Sequence, residues 1–309
     1  MTVRRKSRRA PLPFARRLIQ VYAAVLYNAH ARGFAEGRIY TGPLKSACVP
    51  GLNCYSCPGA VAACPLGALQ NAVASSASKG RPGFYVCGIL LLFGLLFGRM
   101  ICGFACPMGL LQELIYKIPL PGGWKKPKKN RLTRGLSWVK YALLAVFAIA
   151  LPLLYGLRRT PLPAFCKWIC PAGTLEGALP LLLHPANGDL RALVGGTFVW
   201  KGIVLAAVLV LCVFVFRPFC RFLCPLGALY GLFAKIALLG VRIDRDKCAD
   251  CGACAKVCPV DTKAVGDREC VHCCRCVSIC AHGAISVKAG KITLLGPETA
   301  GRRAKGERT

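Results

Sequence analysis

Twenty-one cysteines stand in this chain of 309 residues, and their spacing is the first thing that could do chemistry. Cys248, Cys251, Cys254 and Cys258 fall at the x2, x2, x3 intervals of a cluster-binding run, with Pro259 next. Cys270, Cys273, Cys276 and Cys280 repeat it. This is the ligand pattern of two [4Fe–4S] clusters, in which the fourth cysteine of each run serves the other cluster. One site then takes Cys248, Cys251, Cys254 and Cys280, and the other Cys270, Cys273, Cys276 and Cys258. Zinc also uses paired Cys-x2-Cys, but two complete runs of four fit iron–sulfur chemistry better. Two details depart from the pattern: Ala281 follows Cys280 where proline is usual, and Cys274 stands where the first run has Gly252. Cys274 reads as a bystander.

A second phrase, Cys-Pro-x-Gly-x-Leu, occurs four times, opening at Cys64, Cys106, Cys170 and Cys224. The last three copies carry another cysteine four residues upstream, at Cys102, Cys166 and Cys220, whereas Cys57 is the nearest before the first. Proline suits the first turn of a helix, where its missing N–H costs nothing. Each phrase therefore predicts a thiolate at a helix N-terminus, where free N–H groups and the dipole favour negative charge.

The elements that position these thiols are apolar. Hydrophobic residues make up 55% of the chain, and the mean hydropathy is +0.50, so a soluble globule is excluded. A disulfide framework belongs to short secreted domains. The formal charge of +30 could suggest nucleic acid, but the apolar runs point to basic segments beside anionic lipid instead. The fold expected is mainly α, with four transmembrane helices in two tandem repeats and a small α+β two-cluster domain.

Residues 1–17 form a basic arm with Arg4, Arg5, Lys6, Arg8, Arg9, Arg16 and Arg17. The membrane domain spans 18–240, the two-cluster domain 241–290 and a basic, disordered tail 291–309. A modest apolar stretch, Leu18–Ala31, is barely long enough to cross, since ~20 residues are usual; it reads as a spanning or deeply inserted helix, with a cleaved signal as the competing reading. Phe84–Ile101, Leu136–Leu157 and Phe198–Phe216 are clear membrane helices, and Leu110–Ile118 a short amphipathic one. Lys125–Arg131 is a strongly basic turn. Lys and Arg are denser in 1–17 and 102–135 than in the loops 32–83 and 158–197. That places the N-terminus and the two-cluster domain in the cytoplasm of a multi-pass inner-membrane protein.

The phrases then alternate sides. Cys102, Cys106, Cys220 and Cys224 meet at the inner face, four thiolates for a third [4Fe–4S] cluster. Cys57, Cys64, Cys166 and Cys170 meet at the outer face, as a fourth cluster site or as disulfides, with Cys48 and Cys54 competing for places. A hydrocarbon core of ~30 Å is wide for one transfer step, so a midway carrier such as quinone, haem or flavin is expected. His30 and His184 read as interfacial polar residues rather than haem ligands, and Cys87 and Cys212 as packing residues. Glu113 and Glu176 are either proton relays near a quinone or charges at helix starts.

On Cys102-x3-Cys106-Pro107, Cys220-x3-Cys224-Pro225, the flanking helices and the two-cluster runs, the chain resembles the polyferredoxin membrane proteins of the NapH/NosR type. The resemblance covers most of 84–290. It implies an electron conduit between the quinone pool or cytoplasmic donors and outer reductases, a component of an oxidoreductase system with no bond-making active site. The NosR flavin domain is not seen, and the outer cysteines are additions to the NapH pattern. Partners implied are the membrane and other redox proteins or quinone, not nucleic acid. An assembly factor of the CcoG type, supplying electrons for metalloenzyme maturation, is the alternative.

Overall fold

A computed structural model describes residues 12–80, 83–119, 131–260, 262, 264–290 and 292–295. Most of the basic arm, the Lys125–Arg131 turn up to residue 130, and the end of the tail lie outside the described residues. The chain is mainly helical, with one small sheet.

Helix α1, Leu12–Tyr27, buries Arg16, Gln20, Ala23 and Tyr27, one stripe at helical spacing. Leu18, Ile19, Tyr22 and Val25 face outward. All four Cys-Pro phrases open a helix at the proline, Pro171 included. Helices α2, Pro65–Lys79, and α4, Pro107–Tyr116, and later α8, Pro225–Phe233, each have the preceding cysteine in extended backbone as their cap. Between the first two, α3 runs only from Phe84 to Phe97. Gly98 then takes a positive φ of 50°, so the helix stops four residues short of the expected end at Ile101. The apolar run hides the break because Gly98 and Arg99 interrupt it for only two positions; Arg99 turns inward and is fully buried.

Helix α5, Thr133–Leu157, carries a π-helical stretch at Leu144–Ala150. Pro152 offers no N–H to the carbonyl one turn back, and the hydrogen-bond register slips there. Helix α6, Gly173–Leu183, follows the third phrase, and its first turns are likewise π-helical ahead of Pro180. Helix α7 is Gly196–Phe214. Helices α5 and α7 are the two that are long and apolar enough to cross a membrane, with mean hydropathies of 1.9 and 2.4. Only 22% and 17% of their apolar windows are buried, unlike the core helices of soluble proteins. Of the four crossings expected, α5 and α7 have the length and hydropathy to span, whereas α1, of 16 residues, and α3, of 14, are shorter.

Helix α5 sets the depth of everything else. Near its start Lys140 meets Glu269 of the C-terminal unit, and near its end Gly156 lies against Ala74 of α2, with no room for a side chain. Sixteen residues at about 1.5 Å each separate those contacts by roughly 24 Å. The inner and outer phrases therefore sit at two levels of one core, which includes Leu52, Cys64, Cys106, Cys170, Cys220 and Tyr230.

The C-terminal unit places strand β1, Leu239–Ile243, antiparallel to β2, Ile285–Ala289, pairing Leu239 with Ala289 and Ile243 with Ile285. Strand β3, Ile292–Leu295, adds antiparallel to β2 across a register shift at Val287/Lys288. The tail expected to be disordered from 291 thus begins as a strand, its alternating Ile292, Thr293, Leu294 and Leu295 completing the sheet. Short helices α9, Ala253–Val257, and α10, Arg275–Ile279, lie between the strands.

Candidate metal centres

At the C-terminal unit, the two cysteine runs fold into two cavities. One is lined by Cys248, Cys251, Cys254 and Cys280; the other has Cys258, Cys270, Cys273 and Cys276 in its wall. Cys280 thus lies in the cavity of the first run and Cys258 in that of the second. The backbone does it by repetition: Asp250 and Gly252 are left-handed in the first run, His272 and Cys274 in the second. Cys274 holds the glycine-like position at φ 61°, which costs a side-chain-bearing residue about 1–2 kcal/mol. Its buried thiol hydrogen-bonds to the His272 carbonyl at 3.3 Å, and the residue borders the cavity of the second run beside the ring of four. Burial, with Arg99 and Arg242 nearby, pushes the His272 imidazole down to about 4. The neutral ring accepts the Val241 N–H at Nδ1, 3.0 Å away, tying β1 to the second run. Burial also pushes the Cys270 thiol up to about 11, tempered by the N–H groups of His272 and Gly266.

The inner ring is closed. Cys102, Cys106, Cys220 and Cys224 line one cavity of about 300 Å³ together with Leu52, Gly227 and Tyr230, and all four are buried. Gln112 on α4 anchors its Oε1 on the Phe219 N–H at 3.1 Å and points its Nε2 at Cys220 Sγ, 3.2 Å away. Gln20 of α1 donates to the Cys106 carbonyl at 3.0 Å. Glu113 is neither a relay nor a free helix charge. Arg16 donates to it at 2.5 Å, and Arg217 meets it at 2.7 Å as an ion pair without hydrogen-bond alignment. Burial works against its charge, but Arg217 and Arg16 outweigh that and hold its carboxyl below the usual range.

The outer ring differs in one member from the set expected. Cys54, Cys64, Cys166 and Cys170 line a cavity of about 1200 Å³. Cβ positions built on Gly67 and Gly173 come within 3.9 Å of Cys166, Cys170 and Cys54 sulfurs. Cys57 is buried behind them, one turn beyond Cys54, whose carbonyl accepts its N–H. Cys-Pro at 57–58 mimics the phrase, but no helix starts there; the chain makes a turn, and Cys54 takes the place. Cys48 stays in an isolated bridge with Ala63. All cysteines are free thiols.

The residue six after each phrase cysteine does a related job in every copy. Gln70 repeats Gln112, with Oε1 on the Phe165 N–H at 2.9 Å and Nε2 on Cys166 Sγ at 3.3 Å. Glu176 accepts the Cys54 N–H at 2.7 Å, and the Tyr230 hydroxyl donates to the Pro50 carbonyl at 2.9 Å. Each ties its helix to the loop that closes a ring. Of these four residues the sequence pattern singled out Glu176 alone, as a relay or a helix-start charge, and it left out Arg99 and Arg217, although an Arg stands three residues before both Cys102 and Cys220.

Neighbouring rings share walls. Cys254 borders both C-terminal cavities. Gly103, between Cys102 and Cys106, lies against the Val271 carbonyl. Leu52 borders both the inner and the outer cavity, so the loop after α1 dips between them. His30 and His184 sit in hydrogen bonds with the outer loops at Pro58, Ala35 and Ala186, not at a ring. Cys212 packs in the core and Cys87 is exposed on α3.

The donor sets suit clusters better than single ions. Zn–S bonds of about 2.3 Å draw thiolates close together, and among the described residues no three Cys, His, Asp or Glu side chains converge that tightly. A cubane needs the wider ring, since each thiolate meets a different iron. The amide donors aimed at Cys166 and Cys220 fit sulfurs that carry negative charge.

Comparison with known proteins agrees with this chemistry. A 4Fe-4S binding domain model matches residues 82–129, 141–183 and 197–245, and a second 4Fe-4S binding domain model matches 241–263. An uncharacterised protein of Methanocaldococcus jannaschii is 30% identical over 64% of this chain and 75% of its own length. The ferredoxin-type protein NapH of Haemophilus influenzae is 25% identical, over 62% of this chain and 63% of its own. The methylamine utilization ferredoxin-type protein MauN of Methylorubrum extorquens is 28% identical, over 63% and 59%. The chain thus spans about six tenths of these two named relatives. No solved structure matches it.

Proposed function

We infer that this chain, which belongs to the NapH-type polyferredoxin family of ferredoxin-type electron-transport proteins, is a membrane conduit passing electrons between its ferredoxin unit and its outer ring, toward a partner oxidoreductase. The single observation that carries this reading is the file of four thiol rings with shared walls at Cys254, at Gly103–Val271 and at Leu52. Bound [4Fe–4S] clusters supply one-electron redox chemistry at the rings.

The residues around the rings orient and insulate. Leu52, Tyr230 and Phe219 keep water from the inner ring. Gln112 and Gln70 hold one sulfur in each membrane ring. Arg99 and Lys140 hold Glu269, fastening the ferredoxin unit to the membrane part. At the far end the outer cavity widens along one face of α2, at Ala68, Asn71, Ala72 and Ser75, leaving room for a redox partner to approach. Four crossings, with the N-terminus and ferredoxin unit in the cytoplasm, accommodate the basic arm and the basic 102–135 segment.

The test is Cys106→Ala in the full chain, purified anaerobically. It should lose one cluster by iron content and paramagnetic resonance, keep the ferredoxin pair reducible by a soluble donor, and stop transfer across the membrane. Full iron and an unchanged transfer rate would mean that the inner phrases are helix starts and nothing more.

A further inference from the structure

Two guanidinium groups beside the inner ring have no part in holding its sulfurs. Arg99 and Arg217 are both fully buried. Each stands three residues before a ring thiol and reaches across to the opposite phrase. Arg99 donates to the Cys220 carbonyl at 3.1 Å, and Arg217 donates to the Cys102 carbonyl at 2.5 Å. Each also shares a carboxylate with a second cation. Glu269 takes Arg99 at 2.8 Å and Lys140; Glu113 takes Arg217 at 2.7 Å and Arg16 at 2.5 Å.

Each triad holds two cations and one anion, a net charge of +1, so the pair brings +2 to the layer behind the ring, held there on the Cys220 and Cys102 carbonyls. Uncompensated buried charge is costly. Four thiolates around a 2+ cubane core carry about −2, and the field of nearby charge sets such a site's potential. We propose that the Arg99–Glu269–Lys140 and Arg217–Glu113–Arg16 triads are the built-in counter-charge of the inner ring and hold its reduction potential up. The inference rests on reading that ring as a cluster site. Reduction adds one negative charge there, so removing a cation disfavours the reduced state and removing a carboxylate favours it.

The experiment is a redox titration by paramagnetic resonance on the full chain, purified anaerobically in detergent, with iron counted in every sample. The inner signal is the one that Cys106→Ala removes. Arg217→Met should make reduction of that signal at least tenfold less favourable, 59 mV for one electron. Glu113→Gln should move it the other way, and both should leave the remaining signals in place. A merely structural clamp would not give shifts of opposite sign. Retained clusters with no shift, or with shifts of the same sign, would overturn the inference. If Arg217→Met sheds the inner iron, Glu113→Gln decides alone: a raised potential supports the inference, an unchanged or lowered one refutes it. A wild-type chain without the inner signal would instead refute the reading of the ring, and this inference with it.

Discussion

Gly103 lies directly against the carbonyl of Val271, with no space for a Cβ between them. Gly103 follows Cys102 of the inner ring, and Val271 follows Cys270 of the ferredoxin unit. Membrane part and ferredoxin unit therefore meet backbone to backbone here, between a segment of the inner ring and the second cysteine run.

Gly103→Ala should force that approach apart. Overpacking of this kind costs about 1–3 kcal/mol, and here the opposing atom is main chain and cannot swing aside. The ferredoxin clusters should stay loaded while electron exchange with the inner ring slows; stopped-flow reduction monitored at both signals would read it. An unaltered exchange rate would mean that the contact is incidental to coupling.

Glu269 is the electrostatic half of the same junction. Its carboxyl is buried enough to resist ionisation, yet Arg99 and Lys140 hold it below the usual carboxylate range. Glu269→Ala leaves two buried cations without their anion, a loss of about 3–5 kcal/mol. We expect the ferredoxin unit to become sensitive to limited proteolysis, with the outer ring's iron unaffected. Wild-type resistance in the variant would remove the ion pair from the docking account.

Cys54 and Cys57 separate the observed outer ring from the one legible in the chain. Cys54→Ser should lower iron by one cluster, because its sulfur faces Cys64, Cys166 and Cys170. Cys57→Ser should keep the full complement. The reverse pattern would restore Cys57 to the ring.

How far the sequence carried differs from residue to residue. The grouping of the eight cysteines around two cavities was legible because all eight are local, and local spacing limits which sulfurs can converge. Cys102, Cys106, Cys220 and Cys224 were legible because a repeat of known register brought them together. Cys57 misled because Pro58 imitates a helix start, whereas the choice between Cys54 and Cys57 depends on how the loop turns back against Glu176. Arg99 falls inside the expected helix Phe84–Ile101 and Arg217 directly after Phe198–Phe216, and the pattern of neither run singles them out. Their meaning lies in partners more than a hundred residues away, at Cys220 and Cys102. The break at Gly98 was hidden for the same reason, since a residue at positive φ leaves no mark on an apolar average.

Gln112 and Gln70 give a finer test of the sulfur environment. A hydrogen bond to a charged acceptor is worth about 1.5–3 kcal/mol, and removing one from a ligand sulfur should lower that ring's potential. Gln112→Leu should shift the inner signal alone and Gln70→Leu the outer signal alone. A shift of the wrong signal would break the assignment of glutamines to rings.

The most direct test of the central claim is the iron and acid-labile sulfide content of the full chain, purified anaerobically and fully loaded. Four thiol rings, each taking a cluster of four irons, predict about sixteen iron atoms per chain, falling by four in Cys106→Ala and again by four in Cys54→Ser. About eight atoms per chain, unchanged in both variants, would confine the clusters to the ferredoxin unit and contradict a conduit built into the membrane part.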